Sequence, residues 1–489
     1  MLRSRTNAAS HVAVFALAAG LFAALGTCAF GYGDGFEPVA VDSNRVEAGI
    51  QRIRELKLKR QVPLHHRTRA QVAQTMLSEI EKTPTEQNRD AAEATAGSML
   101  GRYHRTTDAN ADSVKMFLSQ VAAFYDHRKK EMVILETPRH AAEEFGFRFV
   151  TSEDFRDSMV LAHELTHALQ DQDLGMGAHM ESISDNSDAL LAFKSLVEGD
   201  ATLAGFAYVR GGMDDTLADF ITAHFNDLPQ IKAAREKNVP DFLSVPFIFQ
   251  YAQGCAFVRE AYRRGGWDAV DAAFRNPPES SQQIIDPTLY FDRMTRPLQI
   301  RLAGYQKSLP GWSKVLEDSY GELALRLILQ NSFGRDSSQV DIAQRWTGDR
   351  MVVLSRARDY TVIWMVAFND EQGAALFADF YRQVLDRVDG PKNLQGILDQ
   401  VNGPTPHDLE QVGNRVLVVV GPGAVKFHNL APEIWMASQV VDPNPTAPEF
   451  PDTDRPNVLM RALEYARSSL HDWLLGSQAH RDPLKYYRY

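Results

Sequence analysis

The pattern of apolar and polar positions predicts long helices over much of the chain, with one interruption of a different period. Apolar residues recur every three to four positions in residues 44–118, 155–171, 190–208 and 242–262, as the buried face of a helix requires. Residues 121–136 instead contain two short β-type runs on either side of a charged turn, which predicts a hairpin. This part of the chain should therefore be mostly helical.

The pattern changes again after about residue 339. Short β-type runs at 351–354, 360–368 and 415–421 surround a helical segment at 372–388. Strands that alternate with a helix in this way predict a small α/β domain.

The first residues have the pattern of an export signal. Arg3 and Arg5 precede an uncharged apolar run at residues 12–26, and small residues follow it. This pattern predicts cleavage near Tyr32 and an exported protein, either periplasmic or extracellular. Retention as a membrane anchor is the alternative, because the uncharged stretch of residues 12–33 just reaches membrane-spanning length.

The chain has two cysteines, and one of them lies at the predicted signal boundary. The run Leu25-Gly26-Thr27-Cys28 is similar to a bacterial lipoprotein box, from which Thr27 departs. Contact with a membrane is therefore expected only if the N-terminal segment is retained or Cys28 is lipidated. After cleavage Cys255 would be the only thiol, so no intrachain disulfide framework is expected.

Composition narrows the class of protein. A chain of 489 residues with 44% apolar and 24% charged residues is typical of a soluble globular protein of more than one domain. The net charge of -11 argues against nucleic acid as a partner, because phosphate binding needs clustered Lys and Arg.

The candidate chemistry lies in the helix predicted at residues 155–171. His163-Glu164-x-x-His167 is the pattern of a zinc site in which the glutamate acts as general base. At about 100° per residue, the two imidazoles lie within about 40° of each other and Glu164 lies about 60° beyond His167. All three side chains can therefore face one cleft, with His163 and His167 as ligands of Zn²⁺.

A catalytic zinc site needs one more protein ligand, and Glu198 is the best candidate. It lies on the next predicted helix and shares a face with small residues that allow the two helices to approach closely, namely Ser195, Ala201, Thr202 and Gly205. Asp200 points about 200° further round the helix and is expected to support the site indirectly. Rival ligands lie in the connecting loop: His179, Glu181, Asp185 and Asp188.

The combination of these residues resembles the gluzincin branch of zinc metallopeptidases, in which His-Glu-x-x-His is joined by a glutamate on a following helix. Glu198-Gly199-x-Ala201 also looks like the Glu-Gly-x-Ala of the aminopeptidase-like members. The wider sequence resembles a group of uncharacterised exported bacterial metallopeptidase-like proteins. The resemblance implies a zincin-like catalytic domain and hydrolysis of peptide bonds in a peptide or protein substrate.

The expected fold class is α+β, with a zincin-like, helix-rich catalytic domain and a small α/β C-terminal domain. The predicted divisions are a signal peptide at 1–31, a helical N-terminal region at 32–120, the catalytic domain at 121–338, the α/β domain at 339–440, and a Pro-rich linker with a C-terminal helix at 441–489.

The expected function is zinc-dependent peptide hydrolysis with Glu164 as the general base. The donor that stabilises the oxyanion is left open among five residues: Tyr208, Tyr251, Tyr262, Arg210 and His179. Two alternatives also stay open, a non-catalytic envelope protein that uses the fold for binding or scaffolding, and a zinc hydrolase acting on a non-peptide amide.

Overall fold

The computed structural model describes residues 42–79, 84–102, 123–136, 153–213, 241–334, 338–387 and 405–444. The predicted export signal with Cys28, and the predicted Pro-rich linker with the C-terminal helix, lie outside these ranges. None of the helices within them combines the length and the apolar character needed to cross a bilayer.

The described residues form thirteen α-helices and ten strands. The helices are α1 (Ser43–Arg54), α2 (Arg69–Glu79), α3 (Pro84–Met99), α4 (Glu153–Leu174), α5 (Met176–Ser182), α6 (Ser187–Arg210), α7 (Asp241–Arg275), α8 (Ser281–Ile285), α9 (Pro287–Phe291), α10 (Tyr305–Ser308), α11 (Gly321–Phe333), α12 (Glu371–Arg387) and α13 (Phe427–Ala437). The strands are β1 (Leu64–Thr68), β2 (Ala123–Asp126), β3 (Glu131–Glu136), β4 (Gln299–Arg301), β5 (Ser313–Asp318), β6 (Trp346–Arg356), β7 (Asp359–Phe368), β8 (His407–Val412), β9 (Arg415–Val420) and β10 (Gln439–Val441). This mixture of helix and sheet confirms the α+β content expected from the sequence.

Helix α6 is the centre of the helical core and packs against α4, α7 and α1. It is buried along nearly its whole length, since its sequence is apolar or small on every face. Asn186 caps its first turn by accepting a hydrogen bond from the Ala189 N–H. Gly211 ends it in the left-handed conformation at φ 85°, and the Gly212 N–H bonds the Ala207 carbonyl.

Glycines allow α6 to approach its neighbours at backbone distance. A methyl group on Gly199 would overlap the Gly254 carbonyl of α7, and one on Gly254 would overlap the Ser195 carbonyl of α6. On the other side, a methyl group on Gly205 would lie 3.2 Å from the Met159 carbonyl of α4. Gly205, one of the small residues predicted to let the two helices meet, therefore does so, and Gly199 and Gly254 provide a similar close contact with α7.

Helix α7 contains a break at two consecutive glycines. Gly265 and Gly266 leave helical geometry, and Gly266 has φ 64°, which glycine adopts without strain. The segment beyond the break returns Trp267 and Phe274 to the helical core.

A small sheet of order β1-β3-β2 lies beside α4. β2 and β3 are antiparallel neighbours, which confirms the predicted hairpin, and β2 is an edge strand among the described residues. β1 pairs in parallel with β3 and lies within residues 44–118, where the sequence predicts helices. A pairing between distant segments leaves no local signal, so the sequence did not reveal β1.

A second sheet has the order β5-β6-β7-β9-β8 and is antiparallel throughout. One face packs against α3, α11 and α12, and the other against α10 and α13. The predicted succession of strands and a helix is confirmed. The sheet begins with β5, which precedes the predicted domain start at residue 339. Its core also includes Ala92, Ala96 and Met99 of α3. The predicted domain boundaries stay predictions.

The two cores are joined at the N-terminus of α6. The Ser187 N–H and hydroxyl both donate to the Asp318 carboxylate at 2.7 Å, and the Asp188 N–H donates to the Ser319 carbonyl at 3.1 Å. The Asp188 carboxylate lies against Gly321 and accepts the Ser281 N–H. The first turn of α6 is therefore held by the loop that follows β5.

The contact between α6 and α7 generates a stability prediction. Gly254→Ala should lower the free energy of unfolding by about 1–3 kcal/mol, because the new methyl group meets the Ser195 carbonyl and the helices must separate. Gly212→Ala is the control, since a methyl group there meets nothing within 4 Å, and it should change stability by less than about 0.5 kcal/mol. Urea unfolding followed by circular dichroism measures both, and equal midpoints would contradict the close contact.

Candidate metal centre

The three predicted ligand side chains converge on one point between α4 and α6. His163 Nε2 lies 3.1 Å from His167 Nε2 and 3.4 Å from Glu198 Oε2, and His167 Nε2 lies 3.5 Å from the same oxygen. The exposed fractions of the three residues are 0%, 3% and 7%. Within the described ranges, these are the His, Cys, Asp and Glu side chains grouped closely enough to hold a metal ion.

The size of this triangle suits a small ion. Four-coordinate Zn²⁺ binds histidine nitrogen and carboxylate oxygen at about 2.0–2.2 Å, which for tetrahedral angles separates neighbouring ligand atoms by about 3.3–3.5 Å. The observed separations of 3.1–3.5 Å agree with that value. Two nitrogens and one oxygen are also a donor set that zinc accepts, so the residues fit the ion.

The protonation of His167 follows from its partner Gln170. The Gln170 Nε2 donates to the Val197 carbonyl at 3.0 Å and to Asp200 Oδ2 at 2.9 Å, and both of these groups only accept. The Gln170 Oε1 therefore faces His167 Nδ1, at 2.8 Å, and that nitrogen must carry a proton. In the neutral ring, the lone pair of Nε2 then points at the centre of the triangle.

His163 is arranged in the same way. Its Nε2 faces His167 and Glu198, so Nδ1 is the nitrogen turned away from the triangle. In the neutral ring a proton on Nδ1 leaves the lone pair on Nε2. Two nitrogen lone pairs at 3.1 Å repel each other unless a proton or a cation lies between them.

The charges of the triangle depend on burial and on the nearest partner. Burial lowers the pKa of His163 to about 4. Burial would also lower the pKa of His167, but the Glu198 carboxylate outweighs it and raises that pKa to about 9. Burial would raise the pKa of Glu198, yet the charge of His167 holds it at about 2. Without an ion, one proton on His167 therefore balances the Glu198 carboxylate.

Glu164 lies beside the triangle without belonging to it. It is fully buried, and its Oε2 accepts the Tyr125 N–H of β2 at 2.8 Å. Its Oε1 has no hydrogen-bond donor among the described residues. Burial raises the pKa of Glu164 to about 8, so the environment favours a group that takes up a proton.

The hairpin that supplies the Tyr125 N–H is fastened to α4. The Tyr125 hydroxyl donates to Asp171 Oδ2 at 2.8 Å, and Lys130 Nζ lies 2.6 Å from the same oxygen. Edge strand β2 is thereby held next to Glu164.

Asp200 and the rival ligands lie elsewhere. Asp200 forms a buried ion pair with Arg54, at 2.7 Å between Oδ1 and Nε. The prediction that the rivals lie in a loop is wrong for three of them. His179 and Glu181 lie on helix α5, where the ring of His179 packs on Phe193 and Glu181 is exposed. Asp185 pairs with Arg350, and Asp188, in the first turn of α6, accepts the Ser281 N–H. The structure therefore brings Glu198, and none of these residues, to the two histidines.

Of the five candidates for the oxyanion donor, Tyr251 is the one at the site. Its ring stacks on His163 with centroids 6.5 Å apart, and it hydrogen-bonds Glu198. Burial, and then the Glu198 and Glu164 carboxylates, raise the pKa of Tyr251 well above its usual value, so its hydroxyl keeps its proton. The others lie apart: Tyr208 packs over Gly49, Tyr262 packs on Trp267, His179 packs on Phe193, and Arg210 is exposed.

Three residues at the site escaped the sequence analysis. Gln170 lies three positions after His167, on the same face of α4, so its spacing could have revealed it. Tyr125 acts through its backbone N–H, which leaves no signal in the residue type. Arg54 lies 146 positions from Asp200, and no local pattern connects them.

The comparison with known protein families gives a match only for the part of the chain that contains the second sheet. The profile of a family described as a domain of unknown function (DUF8575) matches residues 309–431. That segment contains the five strands of the sheet that begins with β5, whereas the motif residues on α4 and α6 lie outside it. No curated protein and no solved structure matches the chain.

The proton on His167 makes metal binding depend on pH in a definite direction. Its raised pKa, about 9, means that an ion must displace this proton, whereas His163 is already neutral above about pH 4 and Glu198 is ionised above about pH 2. We therefore expect zinc affinity to rise about tenfold per pH unit between pH 5 and 8. Competition with a chelator at several pH values measures the slope.

The matched control for this measurement is His179→Ala, because His179 was the rival histidine ligand and lies outside the triangle. It should retain the affinity and the slope of the unmodified protein. His163→Ala should bind zinc at least about 100-fold more weakly, since a ligand is lost. A flat pH profile, or unchanged binding in His163→Ala, would contradict the site.

Proposed function

We propose that this chain is a zinc-dependent metallopeptidase with a zincin-like catalytic domain of the gluzincin type. The observation that carries the proposal is the triangle of His163, His167 and Glu198, with ligand atoms 3.1–3.5 Å apart and Glu164 beside it. A structural cluster would need the three ligand residues, but it has no chemical need of a second buried carboxylate with one uncommitted oxygen. Glu164 is such a carboxylate, since among the described residues its Oε1 has no hydrogen-bond donor.

His163 and His167 would hold the ion through Nε2, and Glu198 through Oε2. Zn²⁺ bound there supplies a Lewis acid that lowers the pKa of a water molecule toward about 7 and polarises a carbonyl group. The Gln170 amide keeps the His167 ring oriented through Nδ1.

Glu164 would act as the general base and acid. Its Oε1 takes the proton of the attacking water, and the carboxyl group then passes that proton to the leaving amine. The Tyr125 N–H fixes Oε2, so the oxygen that moves the proton is the other one. The positive charge of an ion nearby lowers the pKa of Glu164 below its value in the ion-free site, which keeps it ionised before attack.

Tyr251 would donate to the oxyanion that develops on the carbonyl. Its hydroxyl keeps its proton and lies within hydrogen-bonding reach of the Glu198 carboxylate, at the rim of the triangle. A donor placed in advance stabilises the charge that forms during attack more than the neutral carbonyl.

The position of edge strand β2 beside Glu164 favours a peptide as the substrate. Because the Tyr125 N–H points away from β3 toward Glu164, the outer edge of β2 faces the site, and Ala123 presents its main chain in the same direction. An extended peptide can add to such an edge through main-chain hydrogen bonds. With the predicted export signal, the expected substrates are peptides or proteins in the periplasm or outside the cell.

The first test separates chemistry from metal binding. Glu164→Gln should lower the cleavage rate of a degenerate peptide library by about 10²–10⁴-fold, because it removes proton transfer, while zinc content stays unchanged. Glu181→Gln, an exposed glutamate on α5, is the matched control and should keep full activity. Mass spectrometry of the products measures the cleavage.

Full cleavage by Glu164→Gln would refute the mechanism. Stoichiometric zinc without turnover of any peptide by the unmodified protein would refute the peptidase and favour a binding or scaffolding protein. Turnover of small amides without turnover of peptides would favour the non-peptide hydrolase.

A second test addresses Tyr251. Tyr251→Phe retains the ring that stacks on His163 but removes the hydroxyl, so kcat should fall by about 10²–10³-fold while KM changes little. A fall in zinc content equal to the fall in activity would contradict this role, because it would make Tyr251 a support of Glu198 only.

A further inference from the structure

We infer that Arg54, on the first described helix, is a positioning residue for the metal ligand His167 and acts through Asp200 and Gln170. The inference rests on the proposed metal site. The chain of contacts runs from α1 through α6 to α4, and each step is short and buried.

The first step is the orientation of the Gln170 amide. An amide side chain can present either its oxygen or its nitrogen to His167, and the two orientations demand opposite tautomers of the ring. With nitrogen facing the ring, Nδ1 would have to accept, and the lone pair would be lost from Nε2. Asp200 Oδ2 and the Val197 carbonyl, at 2.9 and 3.0 Å from Gln170 Nε2, select the orientation that leaves the lone pair on Nε2.

The second step is the charge of Asp200. A carboxylate with no exposed surface is costly when it is unpaired, and Arg54 provides the positive partner of Asp200. Arg54 Nε lies 2.7 Å from Asp200 Oδ1, and Arg54 Nη2 donates to Oδ2 at 3.2 Å. The oxygen that receives Gln170 is thus also held by Arg54.

The third step is the placement of Arg54 itself. Its side chain is fully buried, its Nη2 lies 2.7 Å from Asp271 Oδ1, and its guanidinium lies 4.3 Å from the centre of the Trp267 ring. Asp271 and Trp267 follow the break in α7, so this segment fixes the guanidinium that also contacts Asp200. Asp271 touches Arg54 but neither Gln170 nor His167, which makes it the matched control.

Removal of Arg54 leaves a buried carboxylate without its cation. Arg54 holds both oxygens of Asp200, so without it the carboxylate can turn away from Gln170. The Gln170 amide then loses an acceptor that fixes its orientation, which weakens the hold on the His167 tautomer. Loss of a group that orients a ligand in this way typically lowers metal affinity by about 10–100-fold. The predicted signature is thus weaker metal binding without the loss of any ligand.

The experiment compares the full chain with Gln170→Met, Arg54→Met, Arg54→Lys and Asp271→Asn. Zinc affinity is measured by chelator competition, and the visible spectrum of the cobalt(II)-loaded protein reports the geometry around the ion. Gln170→Met and Arg54→Met should weaken zinc binding by about 10–100-fold and alter the cobalt spectrum. Arg54→Lys, which restores a cation, should recover part of the affinity.

Asp271→Asn should lower the unfolding midpoint but leave zinc affinity within about threefold, because its partner Arg54 still holds Asp200. Gln170→Met buries no new charge, so it remains informative if Arg54→Met does not fold. Wild-type affinity and an unchanged cobalt spectrum in Gln170→Met would overturn the inference while leaving the metal site intact. Absence of zinc binding by the unmodified protein would instead overturn the proposed function.

Discussion

Helix α6 carries two neighbouring buried carboxylates, Glu198 and Asp200, into the helical core, and the surrounding elements compensate both charges. An unpaired buried carboxylate costs several kcal/mol, which favours a positive partner for each. Asp200 meets Arg54, which draws α1 against α6 and α7. Glu198 lies against two imidazoles and the Tyr251 hydroxyl, and its charge is balanced either by a proton on His167 or by a bound cation. The same helix therefore carries a permanent ion pair at Asp200 and, at Glu198, a site where a proton or a cation can balance the carboxylate.

The sequence predicted the local parts of this arrangement well. The spacing of His163, Glu164 and His167 defined one helical face, and the small residues around Glu198 indicated a helix able to approach that face. The hairpin before the motif was equally visible, because its alternating pattern is local. What the sequence did not reveal depends on contacts between distant segments: the parallel pairing of β1 with β3, and the pairing of Arg54 with Asp200. A buried arginine in an amphipathic helix has no pattern that distinguishes it from an exposed one.

The family match and the candidate site fall on different cores of the protein. The matched segment forms the antiparallel sheet, while the motif residues lie in the helical core. The two meet where Ser187 and Asp188 of α6 bind the loop after β5. The sheet thus holds the first turn of the helix that, three turns later, presents Glu198. The sheet therefore helps to hold α6 in place, although it contributes none of the three ligands.

The backbone contacts of α6 with α4 and α7 also bear on which ions can enter. Since Gly199, Gly205 and Gly254 let main chains touch, the helices cannot move closer, and separating them would open the core. The ligand triangle consequently has a fixed size, suited to bonds of about 2.0–2.2 Å. Calcium, which needs six to eight oxygen ligands at about 2.3–2.6 Å, finds neither the room nor the donors. Selection among metals would then be decided by helix packing, at glycines that bind no metal themselves.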